Sequence, residues 1–281
     1  MSEHRVILAD CLGPEGLCTL ADKSVDHVIT DPPYSEHVHT RSMRGAAAWK
    51  GVPSERADLG FGSLDGRTLL TASGEFARIA RRWVLVFSDT ESAHLWREAL
   101  ESRGLEYVRT CFWHKVCGTP QFTGDRPAVA CEAITVCHQP GRKKWNGGGK
   151  QGIYPFPVAV ERPGRQQDDA RVHTTQKPLA LMEALIRDFT NPGDLIADPF
   201  AGAGSTIVAA KRLGRLAVGW DYDQGDPGDP DENRPPREPY AAIAQKRIDG
   251  AREQLGLFKG TREPEPKQES LLAASSLHGG R

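Results

Sequence analysis

Asp194-Leu195-Ile196-Ala197-Asp198-Pro199-Phe200-Ala201-Gly202-Ala203-Gly204-Ser205-Thr206 reads as a short apolar strand, a Gly-rich turn and the opening of a helix. The strand is expected over Asp194–Ala197 and the helix over Ser205–Leu213. Gly202 and Gly204 let the backbone approach a ligand and enter the helix without a Cβ clash. Further runs of the same type lie on both sides. Arg5–Ala9 and His27–Thr30 are β-branched-rich and end at Asp10 and Asp31, while Leu216–Trp220 ends at Asp221. Arg82–Ser88, Tyr107–Lys115 and Cys131–His138 read as three more strands. Arg67–Arg82, Ser92–Arg103, Pro178–Phe189 and Tyr240–Gln254 show helical spacing. Strands alternating with helices predict an α/β fold, a doubly wound and mostly parallel sheet covered on both faces.

The 281 residues suffice for one large α/β domain or two small ones, and 38% hydrophobic with 26% charged residues is ordinary for a globular protein. No apolar run approaches a membrane span and the N-terminus lacks a signal-peptide pattern, so a cytoplasmic protein with no membrane partner is expected. A formal net charge of −1 gives no global sign of nucleic-acid binding, so any basic surface must be local. Cys111 and Cys117, like Cys131 and Cys137, are too far apart for a zinc knuckle. Reduced cysteines buried on strands, with no metal, are expected; the alternative is a metal site that draws on the nearby His114 and His138. Gln224–Pro239 is acidic and Pro-rich, and Lys259–Arg281 is a polar tail. The resulting division is one domain over 1–258 and a flexible tail over 259–281.

Asp31-Pro32-Pro33-Tyr34 follows the strand that ends at Thr30. An exocyclic amino group on a planar base is a poor nucleophile because its lone pair is delocalised into the ring. Acceptors at its N–H groups favour the tetrahedral nitrogen that attacks a methyl carbon. Asp31 supplies one acceptor, and the Pro32 carbonyl, aimed by two consecutive prolines, supplies another. Tyr34 offers a flat face for an extruded base. The alternative is a plain Asp-Pro turn after a strand.

With Asp31–Tyr34 first and Asp198–Thr206 second, the chain resembles the β group of DNA amino-methyltransferases. These move a methyl group from S-adenosyl-L-methionine to adenine N6 or cytosine N4. The resemblance implies a Rossmann-like methyltransferase fold in circularly permuted motif order, with a small target-recognition insertion over 139–172. It also implies double-stranded DNA as partner, base flipping and, commonly, a homodimer. Aspartate at position 31 implies adenine N6, since serine is usual among cytosine-N4 members. Cytosine N4, an RNA base, or an inactive cofactor-binding regulatory subunit are the alternatives.

Cofactor-binding roles fall on Asp10 and Cys11 at the cofactor adenine, and on Asp31, Asp198, Phe200, Gly202, Gly204, Ser205 and Thr206 around the turn. The turn has neither the third glycine of a dinucleotide fingerprint nor the lysine of a phosphate-binding loop. Asp221 is positioned to accept ribose hydroxyls, or is a solvated strand end. Thr175 and Lys177 fall in the family's element before a cofactor-supporting helix, where Lys177 pairs with the methionine carboxylate. Otherwise Thr174 or Thr175 caps the helix and Lys177 is a surface charge.

Two segments are candidates for DNA contact. The loop from Ser35 to about Asp65 carries His37, His39, Arg41 and Arg44 beside the tetrapeptide, and is long for a simple connection. His138–Val172 has little periodicity and contains Arg142-Lys143-Lys144-Trp145-Asn146, which combines phosphate-binding charges, a stacking ring and an amide suited to an adenine edge. A charge run of this kind is otherwise a solvated face.

Overall fold

The structure is a computed structural model, and it describes residues 4–33, 65–116, 124–158, 176–225 and 237–252. Eight strands form one sheet: β1 (His4–Leu8), β2 (His27–Thr30), β3 (Trp83–Ser88), β4 (Glu106–Val116), β5 (Cys131–His138), β6 (Ile153–Pro157), β7 (Leu195–Asp198) and β8 (Leu216–Asp221). Their spatial order is β1-β8-β7-β2-β3-β5-β4-β6. From β1 through β3 every pairing is parallel, whereas β5 runs antiparallel to both β3 and β4. The sheet is therefore doubly wound and mostly parallel, as expected.

Among the described residues five α-helices cover it: α1 (Gly66–Ile79), α2 (Ala93–Ser102), α3 (Leu179–Phe189), α4 (Ser205–Arg212) and α5 (Tyr240–Gly250). One buried cluster joins Leu181, Leu185 and Ile186 of α3 and Ile207 and Val208 of α4 to Leu85, Ile134 and Ile196 of the sheet. On the other face Phe76 of α1 and Trp96 and Leu100 of α2 pack with Val28, Val84 and Val86. Strands buried on both faces explain the near-continuous apolar runs, such as Trp83–Phe87. No helix among the described residues is long and apolar enough to cross a membrane.

Residues 139–158 depart from the irregular insertion expected there. β6 lies inside that stretch and pairs parallel with β4, Phe112 opposite Ile153 and Val116 opposite Pro157. It is the outermost strand of the sheet, a position where Pro155 and Pro157 are tolerated because the outer N–H groups need no ladder partner.

The direction of winding locates the site. The connection from β7 through α4 leads to β8 on one side, and that from β2 through α1 leads to β3 on the other. β7 and β2 are neighbours, so the sheet has its switch point between their C-terminal ends, where ligands bind in open α/β folds.

Candidate functional site

The loops after β1, β8, β7 and β2 all emerge at one edge of the sheet, bringing Asp10, Asp221, Asp198 and Asp31 to the same side. Thr30 ties the two central loops together. Its hydroxyl donates to Asp198 Oδ1 at 2.7 Å, and the Phe200 amide approaches both Thr30 Oγ1 and Asp198 Oδ1 at 3.2 Å. The Asp198 side chain also bonds that of Thr206 at the start of α4. Asp198 is buried, and burial pushes its carboxyl up to about 6, against the bonds from Thr206, Thr30 and Phe200 that favour the charged form.

The turn is shaped for close approach. Gly204 has φ +76°, and a Cβ there would lie 2.8 Å from Cβ of Ala244 on α5. Only glycine allows the backbone to take this left-handed bend against a packed helix. Gly202 differs: it has φ +49°, and a Cβ would meet nothing within 4 Å. Its backbone therefore faces open space and bonds the Asp221 carboxylate, which also accepts from Asp223 N at 2.9 Å. Burial raises the pKa of Asp221. Ser205 and Thr206 are buried at the helix start, and Phe200 is half-buried against the cluster that contains Cys11.

Asp10 accepts from Leu12 N at 2.9 Å and so turns the chain after β1. The adjacent Cys11 is buried, and its thiol is pushed far above the usual range, first by burial and then by the charge of Asp10, with Asp198 and Asp221 adding to it. One thiol within the field of these three carboxylates places the ends of β1, β7 and β8 around a common space.

Lys177 is paired within the protein. Its ammonium, buried below the rings of Phe87 and Trp113, bonds Asp31 Oδ2 and lies 3.2 Å from Glu132 Oε2. Glu132 is buried on β5 and also meets Lys115 at 2.7 Å. Sequence reading passed over Glu132, yet a signal was present. A carboxylate inside the apolar run Cys131–Val136 must be paired if the strand is buried. Tyr34, His37, His39, Arg41, Arg44 and Thr175 lie outside the described residues.

The segment expected to read DNA is committed otherwise. β5 ends at His138 opposite Trp83, the first residue of β3, whereas Ser88 at the other end of β3 carries the chain to the site edge. Arg142–Asn146 thus sits one strand length away, roughly 17 Å at about 3.3 Å per residue. Asn146 donates its side-chain amide to Thr190 O at 2.8 Å, and its backbone N–H bonds Asp188 O at 2.8 Å, closing the C-terminal end of α3. The Trp145 ring meets Phe189 edge-on with centroids 4.8 Å apart. Lys143 Nζ bonds the carbonyls of Pro140 and Gly141, and the Lys144 carbonyl accepts from Trp83 Nε1 at 3.1 Å. Arg142, Lys143 and Lys144 line a shallow cavity of about 230 Å³ with Arg82. The Asn146 amide and the Trp145 ring thus both hold the end of α3, a structural role that the sequence reading of Trp145 and Asn146 as DNA-contacting residues did not include. Asn146→Ala is expected to lower stability by about 1–2 kcal/mol in urea unfolding, with DNA sequence preference unchanged. Loss of discrimination at one base position without loss of stability would restore the reading role.

Comparison with known proteins follows the same geometry. Among curated relatives, the chain is 24% identical over 237 residues to the type II methyltransferase M.HinfI of Haemophilus influenzae. That match covers 79% of this chain and spans 65% of the relative's length. The M1.HpyAVI–SAM complex aligns with a TM-score of 0.60 at 22% identity, covering 87% of this chain and 98% of that one. The cytosine-N4-specific PvuII DNA methyltransferase aligns with a TM-score of 0.61 at 14% identity, covering 88% of each chain. These similarities carry the fold. The N6/N4 family model, described as DNA methylase, matches residues 25–225, a span that contains both Asp31 and the Asp198–Thr206 turn, and the chain belongs to that family.

Proposed function

We infer that this chain transfers a methyl group from S-adenosyl-L-methionine to adenine N6 in double-stranded DNA. The observation that carries the reading is the Thr30–Asp198 bond, which fastens the Asp31-Pro32-Pro33 loop to the Gly-rich turn at the switch point. A base presented to Asp31 and a cofactor seated on the turn then share one space.

The residues present fit this cofactor. Open space over Gly202 receives a ligand, and Asp221 beside it offers a carboxylate for ribose hydroxyls. Cys11 and the loop after β1 line the same region, and the turn has no phosphate-binding lysine, which a cofactor without phosphate does not need. When bound, S-adenosylmethionine supplies an electrophilic methyl carbon on a sulfonium sulfur.

The chain does the rest. Asp31 accepts one amino N–H, and the Pro32 carbonyl accepts the other, drawing the nitrogen towards tetrahedral geometry. As the nitrogen–carbon bond forms, the methyl carbon's bond to the sulfonium sulfur would break, its electron pair remaining on a neutral thioether, and the amino nitrogen gives up one proton, which the Asp31 carboxylate receives and passes to solvent. Tyr34 stacks on the extruded base. Aspartate at position 31 favours adenine.

The test is to incubate duplex DNA with protein and methyl-labelled cofactor, digest it and separate the nucleosides. Label in N6-methyldeoxyadenosine is expected. Label in N4-methyldeoxycytidine overturns the base assignment, and label taken up by RNA alone overturns the substrate.

A further inference from the structure

The geometry points to Lys177 and Glu132 as positioning residues for the reaction: the Lys177 ammonium holds the Asp31 carboxylate in place and ionised, and Glu132 holds Lys177. The inference deepens the proposed function and rests on its reading of Asp31 as the proton acceptor.

Four charged side chains line up across the sheet. Asp31, after β2, meets Lys177; Lys177 meets Glu132 on β5; and Glu132 meets Lys115 on β4. Two carboxylates and two ammoniums leave the row neutral, which is the condition for keeping its central pair, Lys177 and Glu132, buried. The Phe87 ring on β3 and the Trp113 ring on β4 lie 5.2 Å and 5.9 Å from Lys177 Nζ and wall it from water. Among the described residues Asp198, on β7, is a further titratable group close to Asp31, and the two interact through charge. Burial alone would favour neutral Lys177, but Asp31 and Glu132 overcome it and keep the ammonium charged.

This arrangement gives each partner a separate effect on Asp31. An ammonium beside the carboxylate stabilises its charged form, so the half-buried acceptor stays ionised. An ammonium shared with Glu132 neutralises Asp31 only in part, which leaves basicity for the amino proton. An ammonium already carrying two carboxylates is also a poor seat for a third anion. Lys177 is thereby assigned to the acceptor and not to the cofactor's methionine carboxylate.

The test compares Lys177→Met, Lys177→Arg and Glu132→Gln with the unmodified protein. Single-turnover methyl transfer is measured against pH at saturating cofactor and DNA, with cofactor affinity measured by calorimetry. Lys177→Met is expected to lower the rate about 100-fold and to move the acid limb of the profile to higher pH, with cofactor affinity within about threefold. Lys177→Arg, which keeps the charge, should return the limb towards its original position. Glu132→Gln should move it the opposite way, because Lys177 then falls wholly on Asp31, with a lower plateau rate. Opposite displacements are not produced by a purely structural role.

An unmoved limb in Lys177→Met and Glu132→Gln overturns the inference. So does a selective loss of cofactor affinity in Lys177→Met, which would return Lys177 to the methionine carboxylate. If Lys177→Met does not fold, the Glu132→Gln limb and the Lys177→Arg rate decide alone. Asp31→Asn run alongside separates the two levels. An inactive Asp31→Asn with unmoved limbs in the other variants defeats only the inference, whereas an active Asp31→Asn defeats the acceptor reading beneath it.

Discussion

Asp31→Asn is expected to slow methyl transfer by about three orders of magnitude while cofactor affinity stays within about threefold. The substitution keeps the shape of the side chain and removes its charge and basicity. The Pro32 carbonyl remains, so one of the two acceptors survives. What is lost is the group that receives the amino proton as the carbon–nitrogen bond forms, an interaction worth most in the transition state. The turn keeps its hydrogen bonds, because Thr30 and not Asp31 bonds Asp198, and the lost charge reaches Asp198 only through space. Labelled-methyl single turnovers and calorimetry check the two halves independently. Near-unchanged turnover would reduce Asp31 to a turn residue. A large fall in cofactor affinity would move it to the cofactor site.

Much of the fold was legible because the strands at the centre of the sheet are short apolar runs closed by aspartates. The run Trp83–Phe87 could scarcely be anything but a buried strand, and the structure has β3 there. Direction was not legible. Alternation and apolarity are the same for a strand read either way, so the antiparallel course of β5 had to come from its pairing with β3. β6 escaped because Ile153-Tyr154-Pro155-Phe156-Pro157 carries two prolines, which argue against a central strand but not against an outermost one.

The site divides in the same way. That Asp31, Asp198 and Asp221 stand at the same edge of the sheet was readable because each closes a strand before a turn. The bond from Thr30 to Asp198 was not, since it joins residues far apart in sequence through adjacent strands. Asn146 is exposed, as its lysine and glycine neighbours suggest, but its amide also satisfies carbonyls left open at the end of α3, which the local sequence does not signal. Lys177 was singled out for the cofactor's carboxylate, whereas its ammonium bonds a carboxylate of the protein. No local pattern carries that information.

Gly202→Asp is expected to abolish measurable cofactor binding, a loss of at least about 100-fold, with little change in folding. Aspartate tolerates positive φ better than most residues, and its Cβ would enter open space, so the turn itself survives. The new carboxylate, however, enters the space assigned to the cofactor and stands beside Asp221, whose charge burial already disfavours. Asp198→Asn separates the turn's chemistry from its shape. The Asp198 carboxyl, pushed from the usual 3.8 up to about 6, stays protonated in the folded protein at pH values where the unfolded chain has released the proton. Folded protein therefore binds more protons between those values, and its stability falls as pH rises through them. The fall reaches about 3 kcal/mol if no other group compensates. Asp198→Asn should lose this slope, so urea unfolding of the two proteins should diverge between about pH 4 and 6 and run parallel above it. Equal slopes would mean that Asp198 is ionised in the fold at its ordinary pKa. Undiminished cofactor affinity in a folded Gly202→Asp protein would move the cofactor away from the turn altogether.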